Sequence, residues 1–153
     1  MIYNNSYGEI RWTDTSDGGF LKDMDVTGDI ALGTNLYIGD NIAALNTSAL
    51  AGKINSSAQI TLKGLSLSTV NEIRRLESYS TSSTDVINNG ANCLGSSCTL
   101  VSYGSGVLVF NTSYFSSFAA TEAVTAVPEF SDYAVLLILV MVGGGFLWMR
   151  RRK

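Results

Sequence analysis

The stretch Val127–Lys153, V-P-E-F-S-D-Y-A-V-L-L-I-L-V-M-V-G-G-G-F-L-W-M-R-R-R-K, constrains this chain more than any other. An apolar run of seventeen residues, Tyr133 to Met149, carries no charge and no strongly polar side chain, and four cations, Arg150, Arg151, Arg152 and Lys153, follow it. Hydrocarbon offers the backbone no hydrogen-bond partner, so a run that enters it must pair internally as a helix. At about 1.5 Å per residue the run reaches roughly 25 Å, and a start near Phe130 brings it to about 30 Å, the thickness of a bilayer core. The sequence therefore predicts one transmembrane α-helix over about 131–149. The cations at 150–153 cannot enter the core cheaply and act as a membrane stop on the cytoplasmic side. Tyr133 and Trp148 stand near the two ends, where amphipathic rings favour the interface.

Charge divides the chain in the same way. All thirteen acids precede Tyr133, against six Lys/Arg there, so the body carries −7 and the last four residues +4. No basic patch exists outside the membrane stop, which argues against a nucleic-acid partner. Of the 153 residues about 125 precede the tail, enough for one small domain. They are poor in charge and rich in Ser, Thr, Asn, Gly and β-branched residues, the composition of an all-β module. The start, Met1-Ile-Tyr-Asn-Asn-Ser-Tyr-Gly-Glu, has neither a cationic region nor an apolar one, so it does not read as a signal peptide. A body outside the cell then implies that this is the C-terminal part of a longer exported protein. The rival is a tail-anchored protein with a cytoplasmic body, which runs against the positive-inside tendency.

Along the body, Gly8–Trp12 alternates as a half-buried strand does, and Asp14–Gly19 is turn chemistry. Short strands are expected at Met24–Val26, Ile30–Leu32, Leu36–Ile38 and Ile42–Leu45. A faint repeat of Gly-Asp at Gly28 and Gly39 suggests rungs or hairpins. Asn46–Ser57 reads as a loop. Ala58–Leu67 gives clean alternation through Ile60, Leu62, Leu65 and Leu67, Glu72–Glu77 reads as a strand or a helical turn, with the strand favoured, and Ser78–Gly90 as a polar loop. Thr99–Tyr103 and Val107–Asn111 form a hairpin about Gly104-Ser105-Gly106. Phe110, Tyr114, Phe115 and Phe118 are the expected core seam. The domain reading is an all-β module over 1–118, either the end of a β-helix or a β-sandwich, a linker over 119–127 and the tail over 128–153.

The chemistry is sparse. The chain has no histidine, which removes Ser-His-Asp and Cys-His catalysis and His-based zinc sites. Cys93 and Cys98 flank a Leu-Gly-Ser-Ser loop short enough to close as a disulfide, whereas redox pairs usually have two intervening residues. Asp23, Asp25, Thr27 and Gly28 fit the first half of an EF-hand loop, but its twelfth position is Thr34, so solvated turn acids are the better reading. No metal, cofactor or enzymatic activity is expected. Asn4, Asn46, Asn55 and Asn111 head Asn-x-Ser/Thr sequons that allow glycosylation where the machinery exists.

The order Pro128-Glu129-Phe130, apolar helix, basic end resembles the sorting tails read by exosortases and archaeosortases: the PEP-CTERM tail, whose archaeal variant carries Pro-Glu-Phe. The resemblance covers about 27 residues. It implies an exported cell-surface protein whose sorting motif is Pro128, Glu129 and Phe130, recognised by a membrane-embedded cysteine transpeptidase that removes the helix. It also implies a body outside the cell and a cytoplasmic C-terminus before processing. The alternative is a plain single-pass anchor, its tail retained, whose β module binds surface carbohydrate or another cell surface. The body, through Ser57–Leu62, Cys93-x4-Cys98, Ser102–Phe110 and Asn111–Phe118, resembles C-terminal modules of archaeal surface proteins with parallel β-helix or lectin-like regions.

Overall fold

The computed structural model describes residues 1–13, 33–50 and 55–122. The sorting motif at 128–130, the apolar run, the basic end at 150–153, the strands expected at 24–26 and 30–32 and the acidic loop at Asp23–Asp29 lie outside the described residues. Among the described residues no helix is long and apolar enough to cross a membrane.

The described residues of the body form two five-stranded antiparallel sheets and one short helix. The described residues form ten strands: β1 (Ile2–Asn5), β2 (Gly8–Trp12), β3 (Leu36–Gly39), β4 (Ile42–Leu45), β5 (Ala58–Lys63), β6 (Glu72–Leu76), β7 (Ala91–Asn92), β8 (Cys98–Gly104), β9 (Val107–Thr112) and β10 (Ser117–Thr121). The helix is α1 (Ser83–Asn89). The first sheet runs β1-β2-β5-β9-β8 and the second β3-β4-β10-β6-β7. Every pairing between these strands is antiparallel. Parallel rungs are the defining pairing of the β-helix alternative, so the described body follows the two-sheet one.

Alternation explains the first sheet. Ile10 and Trp12 of β2, Ala58, Ile60 and Leu62 of β5, and Leu108 and Phe110 of β9 point inward and are buried. Glu9, Arg11, Gln59, Thr61 and Asn111 occupy the opposite phase of the same strands. Gly8 must lack a side chain, because a Cβ there would sit 2.0 Å from the Thr61 carbonyl oxygen. The alternation of the Ala58–Leu67 stretch ends as a strand at Lys63. Gly64 turns the chain at φ 78°, although Leu65 is still buried.

The centre of the second sheet is buried on both faces, which is why β4 (I-A-A-L) and the first four residues of β10 (S-F-A-A) show no exposed position. Leu36, Ile38, Ala43, Leu45, Ile73, Phe118 and Ala120 share one core with the first sheet. On the other face Ile42 and Ala119 meet Val86 of α1. That helix replaces the polar loop expected at Ser78–Gly90. Its seven residues contain only Val86 and Ile87 as apolar positions, too few for a helical period to show. Ser82 caps it by accepting the Asp85 N–H at 3.2 Å. The module also runs beyond residue 118: Ala119 and Ala120 are fully buried in β10, and Asn41 holds Ala120 through both its N–H and C=O, so no linker begins at Ala119. Small, apparently featureless residues are what a two-sided strand needs where a helix packs closely against it.

Aromatic rings tie the sheets together. Trp12 stacks on Phe115 at 5.6 Å, Phe115 meets Phe118 edge-on at 5.8 Å, and Phe118 meets Phe110 at 5.7 Å. Tyr114, expected in this seam, stands outside it, and Trp12 takes its place.

Candidate functional site

The first strand of the site is β6, where Ile73 and Arg75 share the inward phase. An arginine in phase with a core residue cannot hide its charge in hydrocarbon without partners. Arg75 lies at the end of the core and is only 8% exposed. Its Nη1 donates to Ser97 Oγ at 3.2 Å, Nη2 pairs with the Glu77 carboxylate, and the guanidinium lies 4.0 Å over the Tyr114 ring. Its Nε has no hydrogen-bond partner among the described residues. Burial works against the Arg75 charge, but hydrogen bonding and attraction from Glu77 and the Tyr114 hydroxyl outweigh it and hold the pKa above the ordinary value. The contact with Tyr114 is a cation–π arrangement. It fixes the ring while leaving that residue 40% exposed.

The Cys93–Cys98 disulfide forms and supplies the wall opposite. Its loop is cross-braced: Cys98 N–H and Ser96 N–H both donate to the Cys93 carbonyl, Gly95 N–H to that of Cys98, and Leu94 N–H to Asn92 Oδ1. Ser113 N–H donates to the Ser97 carbonyl at 3.1 Å, joining this loop to the segment that carries Tyr114.

Two adjoining grooves result. One, of about 390 Å³, is lined by Arg75, Glu77, Asn92, Ser96, Ser97 and Tyr114 among others. The other, of about 380 Å³, continues across the sheet edge over Gln59, Thr99, Asn111 and Thr112, and the two share Ser96, Ser97 and Ser113. Gln59 Nε2 donates to Asn111 Oδ1 at 3.3 Å across β5 and β9. Among the described residues no group of three or more His, Cys, Asp or Glu stands together as metal ligands.

Of the residues singled out in the sequence, Cys93 and Tyr114 line the first groove and Asn111 lines the second. The other sequon asparagines lie apart. Asn4 is exposed on β1, Asn46 accepts the Ala49 N–H at 3.0 Å, and Asn55 accepts the Phe115 N–H at 2.7 Å. Sequence reasoning missed Arg75 and Glu77 and placed Tyr114 in the core rather than at the groove. The available signal was Arg75 in phase with Ile73, which marks a charge directed at the core. The chain was compared with family models, curated proteins and solved structures, and none matches it.

Proposed function

We propose that this chain is a non-enzymatic cell-surface protein, addressed by a C-terminal signal that a membrane transpeptidase of the exosortase or archaeosortase type recognises and removes. The observation that carries the reading is the fixed order of Pro128-Glu129-Phe130, the uncharged run Tyr133–Met149 and the cations 150–153. In this reading the run spans the bilayer, the cations hold the C-terminus at the cytoplasmic face, and the motif is offered to the enzyme at the outer leaflet. The β module then lies outside the cell. Its disulfide supports that location, since such bonds persist mainly in oxidising compartments.

The test is peptide mass spectrometry of the C-terminus of mature protein recovered from the cell envelope. The expected result is a chain ending near Pro128–Phe130 with an added mass, and no peptide containing Trp148-Met149. Substituting Pro128 and Glu129 by Ala should leave membrane insertion intact and abolish removal of the tail. Unchanged removal in that double variant, or a mature protein that keeps Trp148-Met149, overturns the sorting reading and leaves a plain anchor.

A further inference from the structure

Three properties of the paired grooves point to one kind of ligand. The first is the ring of Tyr114, clamped on one face by Arg75 and 40% exposed. A fixed aromatic surface is a low-entropy platform on which the C–H face of a pyranose can rest. The second is the lining. Gln59, Asn92, Asn111, Ser96, Ser97 and Thr99 offer amides and hydroxyls, groups that donate and accept in pairs as vicinal sugar hydroxyls do. The third is charge. Arg75 and Glu77 are the only ionised lining side chains among the described residues, and they neutralise one another. An anionic ligand needs an unmatched cation. Here the one cation is already engaged by Glu77, which disfavours phosphate or carboxylate and favours an uncharged polyhydroxyl compound.

Size and stiffness agree with this. Each groove falls within the range of about 300–1,000 Å³ usual for small-ligand sites, and their shared serines make one elongated trough. The disulfide and the four hydrogen bonds bracing its loop hold Ser96 and Ser97 in place before any ligand arrives.

We propose that the paired grooves form a single binding site for a neutral oligosaccharide, with Tyr114 as its stacking platform and Gln59 and Asn111 as the hydrogen-bonding floor of its far end. The site belongs to the β module and does not depend on whether the tail is removed, so the two proposals fail separately.

The experiment is saturation-transfer NMR on the full chain, produced in a host without N-glycosylation so that Asn111 is bare, and held in a zwitterionic, sugar-free detergent. The probes are maltotriose, cellotriose and tri-N-acetylchitotriose, with trigalacturonic acid as the charged comparator. At least one neutral trisaccharide should receive saturation on its ring protons and outcompete the charged one. Tyr114→Ala should weaken it about tenfold and Tyr114→Phe by no more than about twofold, since the ring face and not the hydroxyl is used. Tyr114→Ala also removes the support of Arg75, so Gln59→Ala, a change on the strand surface, serves as a second variant and should weaken binding about threefold, the loss of one hydrogen bond. Saturation of none of the neutral sugars, preference for trigalacturonic acid, or unchanged binding by both Tyr114→Ala and Gln59→Ala overturns the proposal.

Discussion

Asn41 sits at φ 51°, in the left-handed region that asparagine tolerates better than most residues, and closes the turn between β3 and β4. Its side chain then does what a backbone residue would do. The Nδ2 donates to the Ala120 carbonyl at 2.8 Å and Oδ1 accepts the Ala120 N–H at 3.0 Å. Where backbone pairing of β4 with β10 stops at Ala43–Phe118, this amide extends the ladder. Asn41→Ala removes both bonds and leaves two buried backbone groups unmatched, so it should cost about 2–4 kcal/mol. A denaturant titration reads this as a lower midpoint at constant m-value. A loss below about 0.5 kcal/mol means that water replaces the amide. A second side-chain tie, that of Glu122, uses charge-assisted hydrogen bonds. Its carboxylate accepts the Ser68 and Thr69 N–H groups, which hold its pKa below the ordinary value. This anchor is in place above the usual glutamate pKa and loosens as pH falls through the lowered one.

Among the elements, the β8–β9 hairpin and the cystine loop shape the site. Ser105 and Gly106 both take positive φ, at 50° and 72°, the two-residue turn that matches strand twist. Gly106 also accepts Leu65 N–H at 3.0 Å, and a Cβ there would lie 2.8 Å from the Leu65 carbonyl oxygen. The loop before β8 is held by its four hydrogen bonds and by the disulfide that closes it. Closing so short a loop removes modest entropy from the unfolded chain, about 2 kcal/mol. Cys93→Ser with Cys98→Ser should therefore lower stability by about that amount and leave the two sheets folded. Thermal unfolding with and without reductant checks it: the wild-type protein under reductant should melt where the double variant does, and an insensitive midpoint contradicts the assignment.

For the β module as a whole, the contacts among the rings of Trp12, Phe115, Phe118 and Phe110 link the two sheets, so the sheets are expected to unfold together. Phe118 belongs to the second sheet, yet its contacts reach the first through Phe110. Phe118→Ala should cost about 3–5 kcal/mol, a large part of the roughly 5–15 kcal/mol that stabilises a typical domain. In a Trp148→Phe background, fluorescence of Trp12 on the first sheet and far-ultraviolet dichroism of both sheets should shift to the same lower midpoint. Separate midpoints mean that each sheet unfolds alone.

Local patterns made much of this architecture legible. The alternation of Ile10 with Trp12 and of Ile60 with Leu62, the Gly-Ser-Gly turn and the short spacing of Cys93 and Cys98 depend only on neighbours in the chain, so composition and period suffice to read them. Two further features arise only between distant residues. The α1 helix exists because Val86 fills a space over Ile42 and Ala119, and Ala119–Thr121 belongs to a central strand because β6 pairs along its length while β4 and the Asn41 amide hold its other side. The groove has the same origin. Arg75, Ser97 and Tyr114 are separated by many residues, and only Arg75, in phase with Ile73, carries a local signal. What makes them a site is the antiparallel order that brings the end of β6, the cystine loop and the segment after β9 to one edge of the core. That order is set by long-range burial, which no local period encodes.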